Sequence, residues 1–196
     1  CCIGPHNVLI DYPVVKNKLD SSKKVDLINS RYPVSQHIID QQSPANPWAK
    51  AIGDFDGDGV GDLIVAGSHG PLVMYRSGGK DKTVIGSRNA YYTQSGIALG
   101  DIDNDGDVDI VSGDVWLENP RPKGNVSALW SLHSIGAAAT NHNVELADLN
   151  KDGNLDIIMR GETSSLVTIL IHDPAGFWSI ETLEPGVGRN GLAVKD

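Results

Sequence analysis

Three short stretches carry residues whose type and spacing can do chemistry. "DFDGDGVGD" (54–62), "DIDNDGDVD" (101–109) and "DLNKDGNLD" (148–156) set carboxylate or amide side chains at positions 1, 3, 5 and 9 of a nine-residue turn, with glycine at position 6. Like charges this close repel by about 1 kcal/mol per pair even in water. Short carboxylates converging on one point suit a hard divalent cation of calcium's size, which gathers about six to eight oxygens. Three Ca²⁺ sites are therefore expected. The first would use Asp54, Asp56, Asp58, the carbonyl of Val60 and Asp62; the second Asp101, Asp103, Asp105, the carbonyl of Asp107 and Asp109. The third, with Asp148, Asn150, Asp152, Asn154 and Asp156, has an amide at position 3 and one charge fewer, so weaker binding is expected there.

Other acidic loops fit less well. An EF-hand needs a bidentate glutamate at position 12 and a helix on each side. Position 12 here is Val65, Ser112 or Met159, and β-branched runs follow. Dockerin-like loops fail for the same want of helices. A merely solvated acidic turn accounts for one isolated copy better than for three in fixed phase.

The chain as a whole agrees with local cation sites. Of its 25 acidic residues, twelve fall in the three loops, and the rest of the chain is slightly basic although the net charge is −9. No cluster of lysine and arginine interleaved with aromatics is present, so a nucleic-acid partner is not expected. At 196 residues and 40% hydrophobic content the chain can bury a core as a single domain. Its two cysteines are adjacent, Cys1 and Cys2, which excludes a disulfide framework and thiolate metal spacing. No apolar run reaches transmembrane length, and the sequence starts at Cys1 without an initiator methionine or signal peptide. A lipid-anchored Cys1 and a fragment boundary both fit that start.

The elements that must position these loops follow from their spacing. First acids at Asp54, Asp101 and Asp148 are 47 residues apart, and Trp130 and Trp178 each lie 18 residues before Asp148 and Asp196. Each unit reads as four short strands, as in "SGIALGDI", "DIVSGD", "VWLEN" and "LWSLHSIG", bounded by Gly, Pro, Asn and Asp. Four strands per repeat near this period match one blade of a β-propeller, whose sheets need neighbours to bury both faces. The expected fold is thus all-β, with four-stranded antiparallel blades at 46–92, 93–139 and 140–187, an irregular blade at 1–45 and the start of another at 188–196. In the irregular unit Lys18 stands at the first loop position, where an ammonium excludes a cation.

The motif D-x-D-x-D-G-x-x-D between two strands resembles the FG-GAP/VCBS repeats of integrin α-chain heads and of many secreted propellers. The resemblance implies that each acidic loop joins the innermost two strands of a blade, and that seven blades complete the usual ring. With about three regular units, the remaining blades would come from a longer chain or from other copies.

Two function classes follow. One is an extracellular or cell-surface binding and scaffold module, stiffened by calcium, for a glycan or an extracellular protein, in a carbohydrate-binding or cell-adhesion role. The other is a carbohydrate-active enzyme, since rhamnogalacturonan and ulvan lyases and aldos-2-ulose dehydratase contain similar propellers. Ligand sites on propellers gather on one face near the central channel, which makes His142, Asn143, His69, Arg160, Trp48 and Arg189 the candidates. No G-x-S-x-G, H-E-x-x-H or cysteine nucleophile is present and no catalytic residue is assigned, so binding is favoured over catalysis. Oxygen-only loops suit the millimolar calcium found outside cells.

Overall fold

The computed structural model describes residues 38–42, 44–67, 70–86, 96–136, 142–161, 166–183 and 192–194. The chain divides into two units, Cys1–Gln41 and Gln42–Asp196, and the second carries every strand described below. The irregular blade expected at 1–45, with Lys18, falls almost wholly outside the described residues, as does most of the start expected at 188–196.

Among the described residues twelve strands form three four-stranded antiparallel sheets, each a simple meander. The first sheet holds β1 (Pro47–Gly53), β2 (Asp62–Gly67), β3 (Leu72–Arg76) and β4 (Asp81–Gly86). The second holds β5 (Ile97–Gly100), β6 (Asp109–Ser112), β7 (Val115–Glu118) and β8 (Ser131–Ser134). The third holds β9 (Asn143–Ala147), β10 (Asp156–Arg160), β11 (Val167–His172) and β12 (Trp178–Leu183). These are propeller blades, and the three do not close a ring. No α-helix occurs among the described residues, and no helix there is long and apolar enough to cross a membrane.

The second strand of each blade is buried along most or all of its length, polar residues included. All four residues of β6 and all five of β10 are buried, because both faces of the sheet are covered. Adjacent residues of β6 serve different cores. Ile110 joins Phe55, Ile64, Leu72, Met74 and Trp130, while Val111 joins Ile102, Trp116, Ile157 and Met159. Each core therefore fills the space between consecutive blades, which is what holds otherwise separate sheets together. Innermost strands run side by side, β1 next to β5 and β5 next to β9. Gly100 permits the second approach: a Cβ there would lie 2.6 Å from Leu155 Cδ1 and 2.8 Å from Leu146 Cδ1.

Trp130, expected in a closing strand, sits one residue before β8. It is buried between the first two blades, edge-on to Phe55 at 5.8 Å, with its backbone N–H donating to the Ile85 carbonyl at 2.8 Å and its indole N–H to the Val126 carbonyl at 3.1 Å. Trp178 opens β12 and stacks on His172 at 4.2 Å.

Candidate metal centres

Each acidic loop joins the first strand of a blade to its second, and its ends are pinned by strand register. Gly53 pairs with Asp62, Gly100 with Asp109, and Ala147 with Asp156. Between those pins the backbone turns by left-handed steps at positions 4 and 6. Position 4 is Gly57, Asn104 or Lys151, with φ of 75°, 60° and 61°; position 6 is Gly59, Gly106 or Gly153, with φ of 83°, 94° and 92°. Glycine pays no Cβ penalty there, and asparagine tolerates the region better than most residues.

The turns aim backbone N–H groups at the side chains of positions 1, 3 and 5. The position-1 carboxylate accepts from the amides of positions 5 and 6 in every loop: Asp58 and Gly59 donate to Asp54 at 3.1 and 2.9 Å, Asp105 and Gly106 to Asp101 at 3.0 and 3.0 Å, and Asp152 and Gly153 to Asp148 at 3.0 and 2.9 Å. The position-9 carboxylate turns inward and is buried in all three. It accepts the position-2 amide, from Phe55 at 3.2 Å, Ile102 at 2.9 Å and Leu149 at 2.8 Å. Position 2 is itself an anchor, since Phe55 and Ile102 are fully buried in the two cores. Burying a side chain of that size contributes about 2–3 kcal/mol to holding the loop in place.

Two of the three loops gather three carboxylates within reach of one divalent cation. Carboxylate oxygens of Asp54, Asp56 and Asp58 lie within 4.8 Å of one another, and so do those of Asp101, Asp103 and Asp109. Two oxygens at calcium's ligand distance from one ion are separated by at most about 5 Å. Each carboxylate oxygen has a second lone pair after taking one N–H, so the hydrogen bonds orient the ligands without exhausting them.

The loops differ electrostatically. In the second, burial pushes Asp107 up to about 6, with Asp105 and Asp103 adding, and pushes Asp109 up to about 7. Both side-chain oxygens of Asp107 are buried without a hydrogen-bond partner, although only its carbonyl was expected to matter. This loop has more negative charge than its surroundings satisfy. The third is the opposite case. Asp152 is held below the usual carboxylate range by the Asn154 amide N–H and the Asn150 side chain. In the first loop Arg76 donates to Asp56 Oδ2 at 3.0 Å and to Ser127 Oγ at 2.8 Å. The Arg121 guanidinium lies against Gly57, where a Cβ would meet its nitrogens.

Neighbouring loops are also linked. The Asn119 side-chain N–H groups donate to Phe55 O at 3.0 Å and Val108 O at 3.1 Å, and its backbone N–H to Asp109 Oδ1 at 2.8 Å. Asn104 Nδ2 donates to Asn154 Oδ1 at 2.9 Å, tying the second loop to the third.

Of the ligand-site candidates, Trp48, His142 and Asn143 line one open depression of about 320 Å³, formed where β1, β5 and β9 come together, with Lys50 and Glu145 beside them. Arg160 is buried in β10, and its carbonyl accepts the His142 N–H at 2.7 Å; it is not among the residues lining the depression. His69 and Arg189 lie outside the described residues. Sequence spacing gave no sign of Asn119, Arg76 or Arg121. None belongs to the nine-residue motif, and their proximity to it depends on how β3 and the segment after β7 fold back.

Comparison with known proteins agrees with this architecture. Residues 54–112 match the FG-GAP-like repeat family. Integrin alpha pat-2 of Caenorhabditis briggsae is 35% identical over 106 residues, 48% of this chain and 8% of that protein. Its counterpart in Caenorhabditis elegans is 35% identical over 102 residues, 46% of this chain and 8% of the other. The chain thus spans about 8% of the length of the curated relatives it matches. With acidic inter-strand loops in four-stranded sheets and this match, residues 54–112 are similar to an FG-GAP-like repeat.

Proposed function

We propose that the chain is an extracellular β-propeller binding module whose blades are stiffened by calcium at the three loops. The observation that carries this reading is the threefold recurrence of one preorganised turn. Its position-1 carboxylate is fixed by two amides, and its position-9 carboxylate is buried at the start of the second strand. Asp54, Asp56, Asp58, the Val60 carbonyl and Asp62 would hold the first ion; Asp101, Asp103, Asp105, the Asp107 carbonyl and Asp109 the second; Asp148, Asn150, Asp152, the Asn154 carbonyl and Asp156 the third. Bound calcium supplies positive charge that offsets the mutual repulsion of these carboxylates. Binding to the folded state alone adds about 2.7 kcal/mol per site at a hundredfold excess over Kd.

Likeness to integrin α chains favours a protein partner, with a glycan as the other candidate, and an extracellular or cell-surface setting. The depression at Trp48, His142 and Asn143 offers an exposed indole beside polar groups on the innermost strands. Thermal unfolding tests the calcium part: the chelated protein should melt well below the calcium-loaded one, and equal melting temperatures in chelator and in millimolar calcium would refute it. Binding is tested by screening the loaded protein against glycan arrays and extracellular protein libraries. Trp48→Ala should abolish any interaction at the depression without changing the melting temperature. Release of unsaturated products from uronate polysaccharides would instead identify a lyase.

A further inference from the structure

The three loops share a backbone geometry but face different residues across the sheet. Position 10, the residue after the buried aspartate, pairs with Tyr75 in the first blade, Leu117 in the second and Leu170 in the third, by the registers Leu63↔Tyr75, Ile110↔Leu117 and Ile157↔Leu170. The next residue of the third strand therefore stands opposite the end of the loop. That residue is Arg76, Glu118 or Ile171. One structural position thus carries a cation, an anion and an apolar group beside three otherwise matching loops.

Contacts agree with these charges. Arg76 forms an ion pair with Asp56 at 3.0 Å and is largely buried, so its guanidinium neutralises part of the first loop from within. Glu118 lies between Leu117, the partner of Ile110, and Asn119, whose backbone N–H holds Asp109 Oδ1 at 2.8 Å, so it brings negative charge to the end of the second loop. Its own partner is the exposed His133 ring at 2.7 Å. Ile171 brings no charge to the third loop, which has one carboxylate fewer than the first.

Resting on the calcium reading above, we propose that the residue facing the loop end from the third strand grades the cation affinity of the three sites. The loop at 101–109 binds most tightly, and the loop at 54–62 binds more weakly than its four carboxylates imply, because Arg76 already occupies part of its field. Counting acids in the motif alone would rank the first loop well above the third; the third-strand residue brings them close together.

The position-6 glycines give each loop its own reporter. Gly59, Gly106 and Gly153 each donate an N–H to the position-1 carboxylate, so their amide resonances follow occupancy loop by loop in a calcium titration of the chelated full chain by nuclear magnetic resonance. In the unmodified chain Gly106 is expected to saturate first. Arg76→Met, which keeps the aliphatic stem, should move the Gly59 midpoint about five- to tenfold toward lower calcium, the size expected for one unit charge acting on a divalent ion at this range. Glu118→Gln should move the Gly106 midpoint by a similar factor toward higher calcium. Ile171→Arg, at a half-buried position, serves if Arg76→Met does not fold, and should weaken the Gly153 site alone. Calcium-dependent shifts whose midpoints ignore these substitutions, or a Gly59 midpoint below that of Gly106 in the unmodified chain, would overturn the grading and leave the calcium reading standing. Glycine amides that do not move at all in excess calcium would overturn both.

Discussion

The side-chain amide of Asn119 donates a hydrogen bond to the carbonyl of Phe55, 64 residues earlier in the chain, at 3.0 Å. The same nitrogen reaches Val108 O, and the Asn119 backbone holds Asp109, so one buried residue in the second blade fixes the first loop against the second. Truncation in Asn119→Ala leaves two carbonyls without their donor in a site closed to water. A cost of about 2–3 kcal/mol is expected, read as a lowered urea midpoint with an unchanged slope. A loss under about 0.5 kcal/mol would show that water replaces the amide, and that the loops are not held together through it.

Two glycines of the second blade should respond differently to alanine. A Cβ at Gly100 would strike the terminal methyls of two leucines of the neighbouring blade, so Gly100→Ala should cost about 1–3 kcal/mol by forcing Leu146 and Leu155 to repack. Gly106 has open space around it, and its penalty is only that of a left-handed backbone at φ 94°. Gly106→Ala should cost about 1 kcal/mol in the chelated protein, and that loss should fall on the second loop. Denaturation of both variants in chelator and in calcium separates the cases; equal losses in Gly100→Ala and Gly106→Ala would contradict the packing account.

The acidic loops also predict how stability varies with pH. Burial raises Asp107 from 3.8 to about 6 and Asp109 from 3.8 to about 7. A carboxyl with a higher pKa in the folded state holds its proton more tightly when folded, so its contribution is complete below the unfolded value and disappears as pH rises through the folded one. The chelated protein should therefore lose stability between about pH 4 and 7. In excess calcium, protons compete with the cation for the same oxygens and the trend should reverse. Urea midpoints measured at intervals of pH check both, and a chelated midpoint that climbs steadily from pH 4 to 8 would contradict the assignment.

How much of this was legible in the sequence differs by element. The aspartates fix the boundary between the first and second strands of each blade, so β1, β5 and β9 end, and β2, β6 and β10 begin, where the motif places them. The repeat of four-strand units already implied sheets covered on both sides, since a single blade cannot bury both of its faces. Trp130 read as a residue of the closing strand, which instead starts one residue later at Ser131, while its ring fills the core between blades. The ninth aspartate stood out in the motif by its spacing, but its burial and its hold on the position-2 amide did not, since both depend on the backbone closing over it. Asn119, Arg76 and Glu118 escaped for the same reason: spacing within a motif carries no information about which residues a later strand brings alongside it.

Anomalous X-ray diffraction from crystals grown in millimolar calcium tests the central claim most directly. The account predicts one ion in each of the loops 54–62, 101–109 and 148–156, held at about 2.3–2.6 Å by oxygens of positions 1, 3, 5, 7 and 9. Three loops free of anomalous signal under those conditions would contradict it.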